Sequence, residues 1–544
     1  MRETRALVAL AVAAAVVLPG ATRAVDAASV PPAAKHRIGV RVVGGAGELF
    51  DRRTGRRFVP RGANYVRLDA SGHSTFNVGR YRAAAAEAFL ARMRGLGYNA
   101  ARVFVAGECA SGCAGASGGG ISRAYVRNVT DFLRRAKRHG VVVILTTGFL
   151  PSSYASRIGD SPLVDDVNRI VLTAGGIGAY QQFWRDLVLE LRRQRAPLDV
   201  VLAYDVVNEL AFVANAAPFT LGGGVLRAPD GRTYDLADAA AKERLLGDGL
   251  VTFGNRVRTA IRRVDPTALV AASFFQPEGP NPTRAGDVRV LRTAAVIHSS
   301  ALDFVDLHAY PGFELTLAQY MQNFGVSGPT RKPLLLGEFG AFKEPYPSAA
   351  DAAASLEAWQ AASCAYGLDG WLLWTWDTHE QPELWNGLSD GGAIARRLSP
   401  RTRPDPCAAP SGPRNLALGK PAAASAAAET PPASAVDGNP GTIWSSGADP
   451  PQWLEVDLGA PETVGRVRLR VAQFPNGPTI HRVYTKGPEP SSPYMLRAEL
   501  AGSTVDGQVL EVAAGPWAGV RAVRVETVAS PSWVAWRELE VLSG

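Results

Sequence analysis

Two glutamates, each at the end of an apolar run, are the residues of this chain best suited to do chemistry. Glu209 ends the segment 202–209 (LAYDVVNE), and Glu338 follows the segment 333–337 (PLLLG). Both runs are typical of a parallel strand buried on its two faces, so each glutamate is expected at the C-terminal tip of a strand. Two carboxylates that face each other across a groove can cleave a glycosidic bond with retention, one as acid/base and one as nucleophile. The pair therefore predicts a glycosidase site.

Other side chains that could bind a sugar stand at the ends of similar runs. They are Arg102, His308, Tyr310 and Trp374. Taken singly, a glutamate after a strand is more often a solvated loop residue or a neighbour of a helix N-terminus. Because all these residues fall at strand ends, in order and between helical segments, the catalytic interpretation is favoured.

Eight strands that alternate with helices would position these residues. Strand-like runs end near Asn64, Phe104, Thr147, Val207, Phe275, Leu307, Gly337 and Trp374. Helical segments such as 83–96 and 179–193 lie between them. The alternation predicts an α/β fold, a (β/α)8 TIM barrel over residues 36–407, whose C-terminal face carries the site. We expect a hairpin over 40–59, with its turn at 51–55, to cover the barrel bottom, and an insertion at 210–233 to shape the substrate groove.

The character of the chain changes after Cys407. Residues 408–413 (AAPSGP) are typical of a short linker. Beyond them, runs at 452–458, 464–471 and 520–526 alternate apolar and polar residues with period two. These runs predict a β-sandwich of jelly-roll type over residues 414–544.

The composition and the N-terminal residues limit the classes of protein to which this chain can belong. The 544 residues are 47% hydrophobic, and 58 Lys+Arg against 50 Asp+Glu give a net charge of +8. The arginines are scattered and not interleaved with aromatic residues, so solvated helix faces explain them better than a nucleic-acid partner. Residues 1–28 have the basic start, apolar centre and small residues of a signal peptide, and no later run could span a membrane. We therefore expect a secreted, extracellular monomer whose partner is a polysaccharide or other glycan.

Four cysteines in an exported chain favour disulfides over metal ligands. Cys109 and Cys113 share one Gly/Ser/Ala loop, and we pair them with each other and Cys364 with Cys407. Three connectivities are possible for four cysteines, and the spacing alone does not choose among them.

As a set, these strand-end residues resemble glycoside hydrolase family 5 and its relatives, the cellulase-like (β/α)8 barrels, over residues 36–407. The resemblance implies an Arg at strand two, Asn-Glu at strand four, His-x-Tyr at strand six, Glu at strand seven and Trp at strand eight. This chain supplies Arg102, Asn208 with Glu209, His308 with Tyr310, Glu338 and Trp374. One departure is that strand three ends in Thr146-Thr147-Gly148, where typical members carry a His that contacts the sugar.

The resemblance also implies a role for each residue. Glu338 would be the nucleophile, with its pKa held low by hydrogen bonds from Arg102 and Tyr310. Glu209 would be the acid/base, protonated at rest because a negative Glu338 lies nearby.

The remaining residues would bind or orient the substrate. Asn208 would contact the sugar 2-OH, His308 would orient the surrounding groups, and Trp374 would lie under the sugar. A histidine that merely bridges strand ends is the alternative for His308. No cofactor is expected for catalysis.

The C-terminal domain resembles the discoidin, or coagulation factor 5/8 C-terminal, family of carbohydrate-binding sandwiches. The motifs 415–417 (NLA), 435–439 (AVDGN), 442–446 (TIWSS), 453–459 (WLEVDLG) and 537–541 (RELEV) carry the likeness. It implies that Asp437, Thr442 and Glu538 are ligands of a structural calcium ion, against the alternative of a turn that Asp437 stabilises.

Two other functions stay open at this stage. The chain could be a sugar-binding protein whose barrel is inactive, although the intact Glu209/Glu338 pair disfavours this, or an adhesion protein dominated by its sandwich. Glucan, mannan and glycan side chains all fit as substrates, and endo or exo action depends on loops at 71–81 and 210–233 that the sequence does not fold.

Overall fold

The computed structural model of the protein describes residues 30–31, 35–70, 72–106, 112–275, 287–312, 315–410, 412–428, 430–513 and 515–544. The predicted signal peptide at 1–28 lies outside the described residues. Within them, no helix combines the length and apolar character needed to cross a membrane.

Eight parallel strands form a closed barrel. In chain order they are Arg61–Asn64, Ala100–Phe104, Val142–Thr146, Val201–Asp205, Val270–Ala271 with Ser273–Phe274, Val305–His308, Leu334–Phe339 and Leu368–Leu373. The fifth strand is interrupted at Ala272; its first half pairs with the fourth strand and its second half with the sixth, which closes the sheet. The TIM-barrel prediction is confirmed.

Helices surround the barrel in the predicted alternation. They span Ala83–Gly95, Arg123–His139, Ser152–Ala155, Asn168–Leu172, Ala174–Arg193, Ala239–Val264, Thr293–Ser299, Leu317–Asn323, Ala349–Ser363 and Ser389–Arg397, with 3-10 turns at Leu198–Val200 and Cys364–Tyr366. The barrel strands are buried along their whole length, for example at Ala100–Phe104 and Val201–Asp205. Because the barrel strands are covered on both faces, their sequences are continuous apolar runs, and the ends of these runs could be located from the sequence.

A hairpin covers the N-terminal end of the barrel. Its strands are Ile38–Val43 and Ala46–Asp51, and Ile38 and Leu49 pack against the apolar residues at the start of the barrel strands. The turn lies at Gly44 and Gly45, whose positive φ angles of 58° and 90° suit glycine. The predicted turn at 51–55 is also present, since the Gly55 N–H donates to the Asp51 carbonyl and Phe50 forms an antiparallel bridge with Arg57, but a further turn at Gly44 and Gly45 was not predicted. The predicted position at the bottom of the barrel is confirmed.

Short pairs of antiparallel strands lie at the C-terminal end of the barrel. They are Leu68–Asp69 with Gly72–His73, Phe212–Val213 with Arg289–Val290, Val225–Arg227 with Thr233–Asp235, and Ala341–Phe342 with Leu384–Trp385. Two of these pairs draw strands from the predicted insertion at 210–233, so the insertion is folded onto the barrel mouth.

The C-terminal domain is an antiparallel β-sandwich, as predicted. Its strands are Ala422–Ala424, Trp444–Ser445, Gln452–Ala472, Gly477–Lys486, Met495–Thr504, Val509–Val512, Trp517–Ala529 and Ala535–Ser543, with a 3-10 turn at Pro432–Ala435. The long strand Gln452–Ala472 serves two sets of partners, since residues 452–457 pair with 522–527 and residues 464–472 with 535–543. The indole rings of Trp444 and Trp536 meet edge to face in the core, 5.0 Å between centroids.

A disulfide and one arginine fasten the chain between the two domains. Cys364 is bonded to Cys407, the predicted partner. Cys113 is also disulfide-bonded, but its predicted partner Cys109 lies outside the described residues. Arg403 donates to the carbonyls of Pro406, Ala408 and Ala409, and a buried carboxylate, Glu357, accepts from its Nη1 at 2.7 Å. The first residues of the predicted linker are therefore held against the barrel.

Candidate active site

A bulge in the seventh barrel strand directs Glu338 into the cavity. The pairing with the sixth strand runs Leu307 to Leu336 and then His308 to Glu338, so Gly337 is the extra residue. A Cβ on Gly337 would lie 2.0 Å from the carboxyl oxygens of Asp306, so only glycine fits there. Bulges of this kind re-aim the following side chain.

Arg102 occupies the centre of the barrel beneath this cavity and is fully buried. Its guanidinium donates to or ion-pairs with residues of six other strands. They are Asn64, Thr146, Asp205, Ser273, Asp306 and Glu338. One side chain thus ties strands one, three, four, five, six and seven together just below the catalytic face.

Glu338 accepts two short hydrogen bonds. Arg102 Nη1 donates to its Oε1 at 2.6 Å and the Tyr310 hydroxyl to its Oε2 at 2.8 Å. The carboxyl group is only 3% exposed. Burial raises the pKa of Glu338, and the nearby Glu209 raises it further, while His308, Arg102 and Tyr310 oppose both. The expected hydrogen bonds are present, but the expectation of a low pKa was wrong because burial of the charge outweighs the two donors.

Glu209 lies across the cavity from Glu338, directly after the fourth strand. Its backbone has a positive φ of 50°, a conformation uncommon outside glycine that turns the chain sharply at this point. The Glu209 side chain is 33% exposed, in contrast to Glu338. His308 Nδ1 lies 2.8 Å from Glu209 Oε1. One atom each of Glu209, His308 and Glu338 lie within 4.8 Å of one another.

His308 is fully buried between the two glutamates, and burial lowers its pKa to about 4. The ring is therefore neutral near pH 7 and carries one proton. Its Nδ1 faces Glu209, and its Nε2 is buried without a hydrogen-bond partner among the described residues. The ring is therefore in contact with Glu209, and its predicted orienting role stays a prediction.

Four of the predicted sugar-binding residues line one open cavity of about 410 Å³ together with both glutamates; they are Asn208, His308, Tyr310 and Trp374. Arg102 does not line this cavity, because its side chain is completely buried and is occupied by contacts with Glu338 and Asn208. Asn208 Oδ1 accepts from Arg102 Nη2 at 2.7 Å, which fixes the amide so that its amino group is left for a ligand. Trp374 Nε1 donates to Gln381 Oε1 at 3.1 Å, and the indole packs edge-on against Phe104. The structure therefore brings Arg102, Asn208, Glu209, His308, Tyr310, Glu338 and Trp374 together at one site.

Sequence reasoning missed several residues of this site. Asp205, Ser273 and Asp306 surround Arg102, and His73 lines the cavity beside the end of strand three. The first three carry a recognisable signal, since each is a polar residue inside an otherwise apolar barrel strand. The ring of His73 stacks on Phe104 with 3.7 Å between centroids, and Gly148 leaves room beside its Nδ1.

The spacing of Glu209, His308 and Glu338 would also suit a cation. Against this, both oxygens of Glu338 already accept hydrogen bonds, and the positive Arg102 lies 2.6 Å away. Repulsion from that guanidinium makes the trio a poor metal centre.

The predicted calcium ligands lie together in the sandwich. The Thr442 hydroxyl, with one hydrogen, lies 2.7–3.1 Å from four oxygens, two of them on Asp437 and the others on the carbonyls of Ser434 and Asn439. Glu538 is buried with its Oε2 unpartnered among the described residues.

Burial raises the pKa of Asp437 to about 6, and burial together with the charge of Asp437 raises that of Glu538 well above its usual range. An excess of converging oxygens over hydrogens is what a hard cation needs. Asp437, Thr442 and Glu538 therefore fit a calcium ion.

Comparison with known proteins finds similarities for both domains. Residues 434–481 match the family model described as the NedA-like, galactose-binding domain of the F5/F8 type C group. No curated protein matches the chain.

Three solved structures illustrate the likeness. A β-mannanase from the blue mussel Mytilus edulis is 16% identical with a TM-score of 0.41, covering 66% of this chain and 96% of its own. An exo-β-1,4-mannosidase from Opitutaceae bacterium strain TAV5 is 17% identical with a TM-score of 0.44, covering 68% of this chain and 63% of its own. A chitosan-binding module from a chitosanase/glucanase of Paenibacillus sp. IK-5 is 27% identical with a TM-score of 0.21, covering 24% of this chain and 99% of its own.

Proposed function

We propose that the protein is a retaining β-glycosidase that acts on β-linked glucan- or mannan-type glycans and carries a carbohydrate-binding sandwich. The proposal is carried by one observation: carboxylate oxygens of Glu209 and Glu338 lie within 4.8 Å of each other at the C-terminal end of the barrel. Retaining enzymes hold their two carboxyl groups about 5–5.5 Å apart, whereas inverting enzymes need about 6.5–9.5 Å to admit a water.

In the first step Glu338 attacks the anomeric carbon and the glycosidic bond breaks. Arg102 and Tyr310 hold the attacking carboxylate in place, since each donates to a different oxygen of Glu338. The leaving oxygen takes a proton from Glu209, which His308 orients through Oε1. The products of this step are a glycosyl ester on Glu338, an ionised Glu209 and the released aglycone.

In the second step Glu209 acts as a base. It removes a proton from water, the water oxygen attacks the anomeric carbon, and the ester bond to Glu338 breaks. Both steps invert the anomeric centre, so the product keeps the β configuration. The sandwich contributes by holding the enzyme near its polymer, which raises the local substrate concentration without altering the chemistry.

We further infer that the protein is exported. The Cys364–Cys407 disulfide is compatible with an oxidising compartment, and residues 1–28 have the composition of a signal peptide.

A fluorosugar experiment tests the proposed chemistry. The protein is incubated with 2,4-dinitrophenyl 2-deoxy-2-fluoro-β-glucoside and the corresponding mannoside, and peptides are mapped by mass spectrometry. We expect a glycosyl adduct on the peptide that contains Glu338, and proton NMR of ordinary aryl β-glycoside hydrolysis should show the β-anomer first.

Two outcomes would contradict the proposal. An α-anomer as first product would mean inversion. A folded protein that turns over no aryl β-glucoside, β-mannoside or β-linked oligosaccharide, yet binds polymer, would instead support the alternative of a non-catalytic sugar-binding protein.

A further inference from the structure

The barrel interior holds more negative than positive charge. Three carboxyl groups, those of Asp205, Asp306 and Glu338, lie 2.6–3.3 Å from the single guanidinium of Arg102. The Asp205, Asp306 and Arg102 side chains are completely buried, and that of Glu338 is 4% exposed. Like charges that share one buried counter-ion repel each other strongly, because little water screens them. Three ionised carboxylates around one arginine are therefore unfavourable, and one of them is expected to keep a proton near pH 7.

The hydrogen bonds show which carboxyl group that is. Glu338 accepts from Arg102 and Tyr310. Asp205 accepts from Arg102 at 3.0 Å and from the Ser273 hydroxyl at 2.8 Å. Neither side-chain oxygen of Asp306 has a hydrogen-bond partner among the described residues. The backbone N–H of Gly337 and Arg102 Nε, 3.3 Å from Oδ2, face the Asp306 carboxyl group, but neither makes a well-aligned hydrogen bond with it. Asp306 therefore has the weakest set of donors of the three anions, so Asp306 holds the proton.

The surroundings of Asp306 agree with this assignment. It is packed against Gly337 on strand seven, and the charged or titratable groups that face it are Arg102, Asp205, His308 and Glu338. Burial raises the pKa of its carboxyl group well above the usual range, and the charges of Asp205 and Glu338 add to this, while Arg102 and the backbone N–H of Gly337 oppose it.

A second unsatisfied group faces this acid. His308 Nε2 is buried without a partner and lies 4.0 Å from Asp306 Oδ2. A small rotation of the Asp306 carboxyl group would bring the two atoms to hydrogen-bond distance, about 2.7–3.0 Å. A protonated Asp306 donates its O–H to Nε2 of His308. An ionised Asp306 could only accept a hydrogen bond, so His308 would have to carry its proton on Nε2.

We propose that Asp306 is a neutral carboxylic acid in the resting protein and acts as a positioning residue, donating its O–H to Nε2 of His308 and so placing the imidazole proton on Nδ1. The inference about catalysis rests on the proposed function, but the protonation state of Asp306 does not.

This tautomer decides where the proton of Glu209 lies. With its hydrogen on Nδ1, His308 donates to Glu209 Oε1, so the acidic proton of Glu209 is on Oε2. With its hydrogen on Nε2, the same ring would accept the proton of Glu209 at Oε1 and hold it away from a glycosidic oxygen. Asp306 thus sets the direction of proton transfer from a distance, without contacting substrate.

Infrared spectroscopy tests the protonation state without any need for turnover. The wild-type minus D306N difference spectrum at pH 7 should contain the C=O stretch of a protonated carboxyl group, shifted in D2O. The matched wild-type minus D205N spectrum should contain carboxylate bands instead. Absence of the protonated band in the first spectrum would overturn the proposal, even if the protein proves to be an active glycosidase.

Kinetics with two leaving groups tests the positioning role. Loss of acid catalysis affects substrates whose aglycone needs a proton and spares those, such as 2,4-dinitrophenyl β-glycosides, that leave without one. We expect D306L to lower kcat/KM roughly 10²-fold for a methylumbelliferyl glycoside and less than about 3-fold for the dinitrophenyl glycoside. D306N, whose amide N–H can replace the O–H, should rescue most of the loss.

Equal loss on both substrates would show that Asp306 is merely structural and would overturn the positioning role. A wild-type protein that is inactive on both substrates would refute the proposed function, and the infrared result would still decide the state of Asp306. If D306L fails to fold, the pair D306N and D205N carries the test, since D306N should leave the leaving-group ratio unchanged.

Discussion

Buried carboxylates occur in both domains, but the two domains neutralise them differently. In the barrel, Asp205, Asp306 and Glu338 surround Arg102, which supplies an internal positive charge. In the sandwich, Asp437 and Glu538 have no ion-pair partner within 4.0 Å in the part of the chain that the structure describes. Their pKa values are raised chiefly by burial.

The difference separates a site with an internal counter-charge from one without an ion-pair partner among the described residues. The barrel site can form as soon as the chain folds, since Arg102 and one residual proton reduce its excess of negative charge. The sandwich site must either remain protonated or bind a cation, because two buried anions without a counter-charge are costly. Four predictions test this contrast.

The largest effect is expected from E338Q. Removal of the attacking carboxylate should lower kcat on an aryl β-glycoside by roughly 10⁴-fold or more, within the range seen when a nucleophile is deleted. Because one buried anion near Arg102 is neutralised, the Tm of the barrel should not fall. Polymer pull-down should be unchanged, and E190Q on a barrel helix is the matched control. A folded, active E338Q would remove Glu338 from the chemistry.

R102M should be damaging in a different way. It leaves the carboxylates without their counter-charge, so the free energy of unfolding should fall by about 3–5 kcal/mol, the usual cost of breaking a buried ion pair. Loss of a donor to Glu338 should lower kcat by about 10²–10³-fold.

The pH profile of R102M shows in which direction Arg102 shifts the pKa of Glu338. Glu338 is needed ionised, so activity is lost as pH falls through its raised pKa, and the wild-type acidic limb should lie above pH 4.5. Since Arg102 lowers that pKa, R102M should move the limb to higher pH. R56M, at an exposed hairpin position, should change neither the free energy of unfolding nor the pH of the acidic limb.

Calcium should stabilise the sandwich and leave the barrel unaffected. Without a cation, Asp437 binds more protons folded than unfolded between its ordinary pKa of 3.8 and about 6, so stability falls as pH rises through this window. Calcium removes that penalty, and an ion at 100 times its Kd adds about 2.7 kcal/mol. Calorimetry with calcium or EGTA should show a larger Tm shift at pH 7.5 than at pH 5.

The variant E538Q distinguishes loss of calcium binding from a loss of stability of the sandwich. The variant should lose the calcium response yet be more stable than the wild type in EGTA, because one uncompensated anion is gone. D449N, at an exposed position of the same domain, should behave as the wild type. A calcium shift that survives in E538Q would place the ion elsewhere.

Removal of the sandwich should have the smallest effect on chemistry. The hydrophobic clusters of the barrel contain no residue after Leu398, so a chain ending at residue 410 should fold. We expect kcat/KM on a soluble aryl glycoside to change less than about 2-fold and activity on insoluble polymer to fall about tenfold or more. The cut lies after Ala409 because Arg403 holds that segment. A folded but inactive barrel would mean that the sandwich contributes to the site.

The barrel could be predicted because its strands are buried on both faces, which leaves an apolar run before each functional residue. Glu209 and Glu338 are visible in this way. The carboxylates around Arg102 were not, since the register that brings Asp205 and Asp306 to one guanidinium is set by strand pairing and by the bulge at Gly337.

Loops and electrostatic balance were the least predictable. His73 reaches the cavity through a short hairpin with no periodic pattern, and the turn at Gly44 was missed because a single turn at 51–55 was taken to account for the whole segment 40–59. The pKa of Glu338 was misjudged because counting donors does not reveal how deeply the carboxyl group is buried.

The Cys364–Cys407 bond and the hydrogen bonds from Arg403 to the carbonyls near Cys407 also determine how the protein responds to a pulling force. When the sandwich is bound to an immobile polymer and the barrel is dragged by flow, tension enters the barrel through the segment after Cys407. The disulfide passes this tension covalently to the end of the helix Ala349–Ser363. Residues 365–406, which include the eighth strand and Trp374, lie outside this covalent path. Force on the anchor is therefore kept away from the catalytic face.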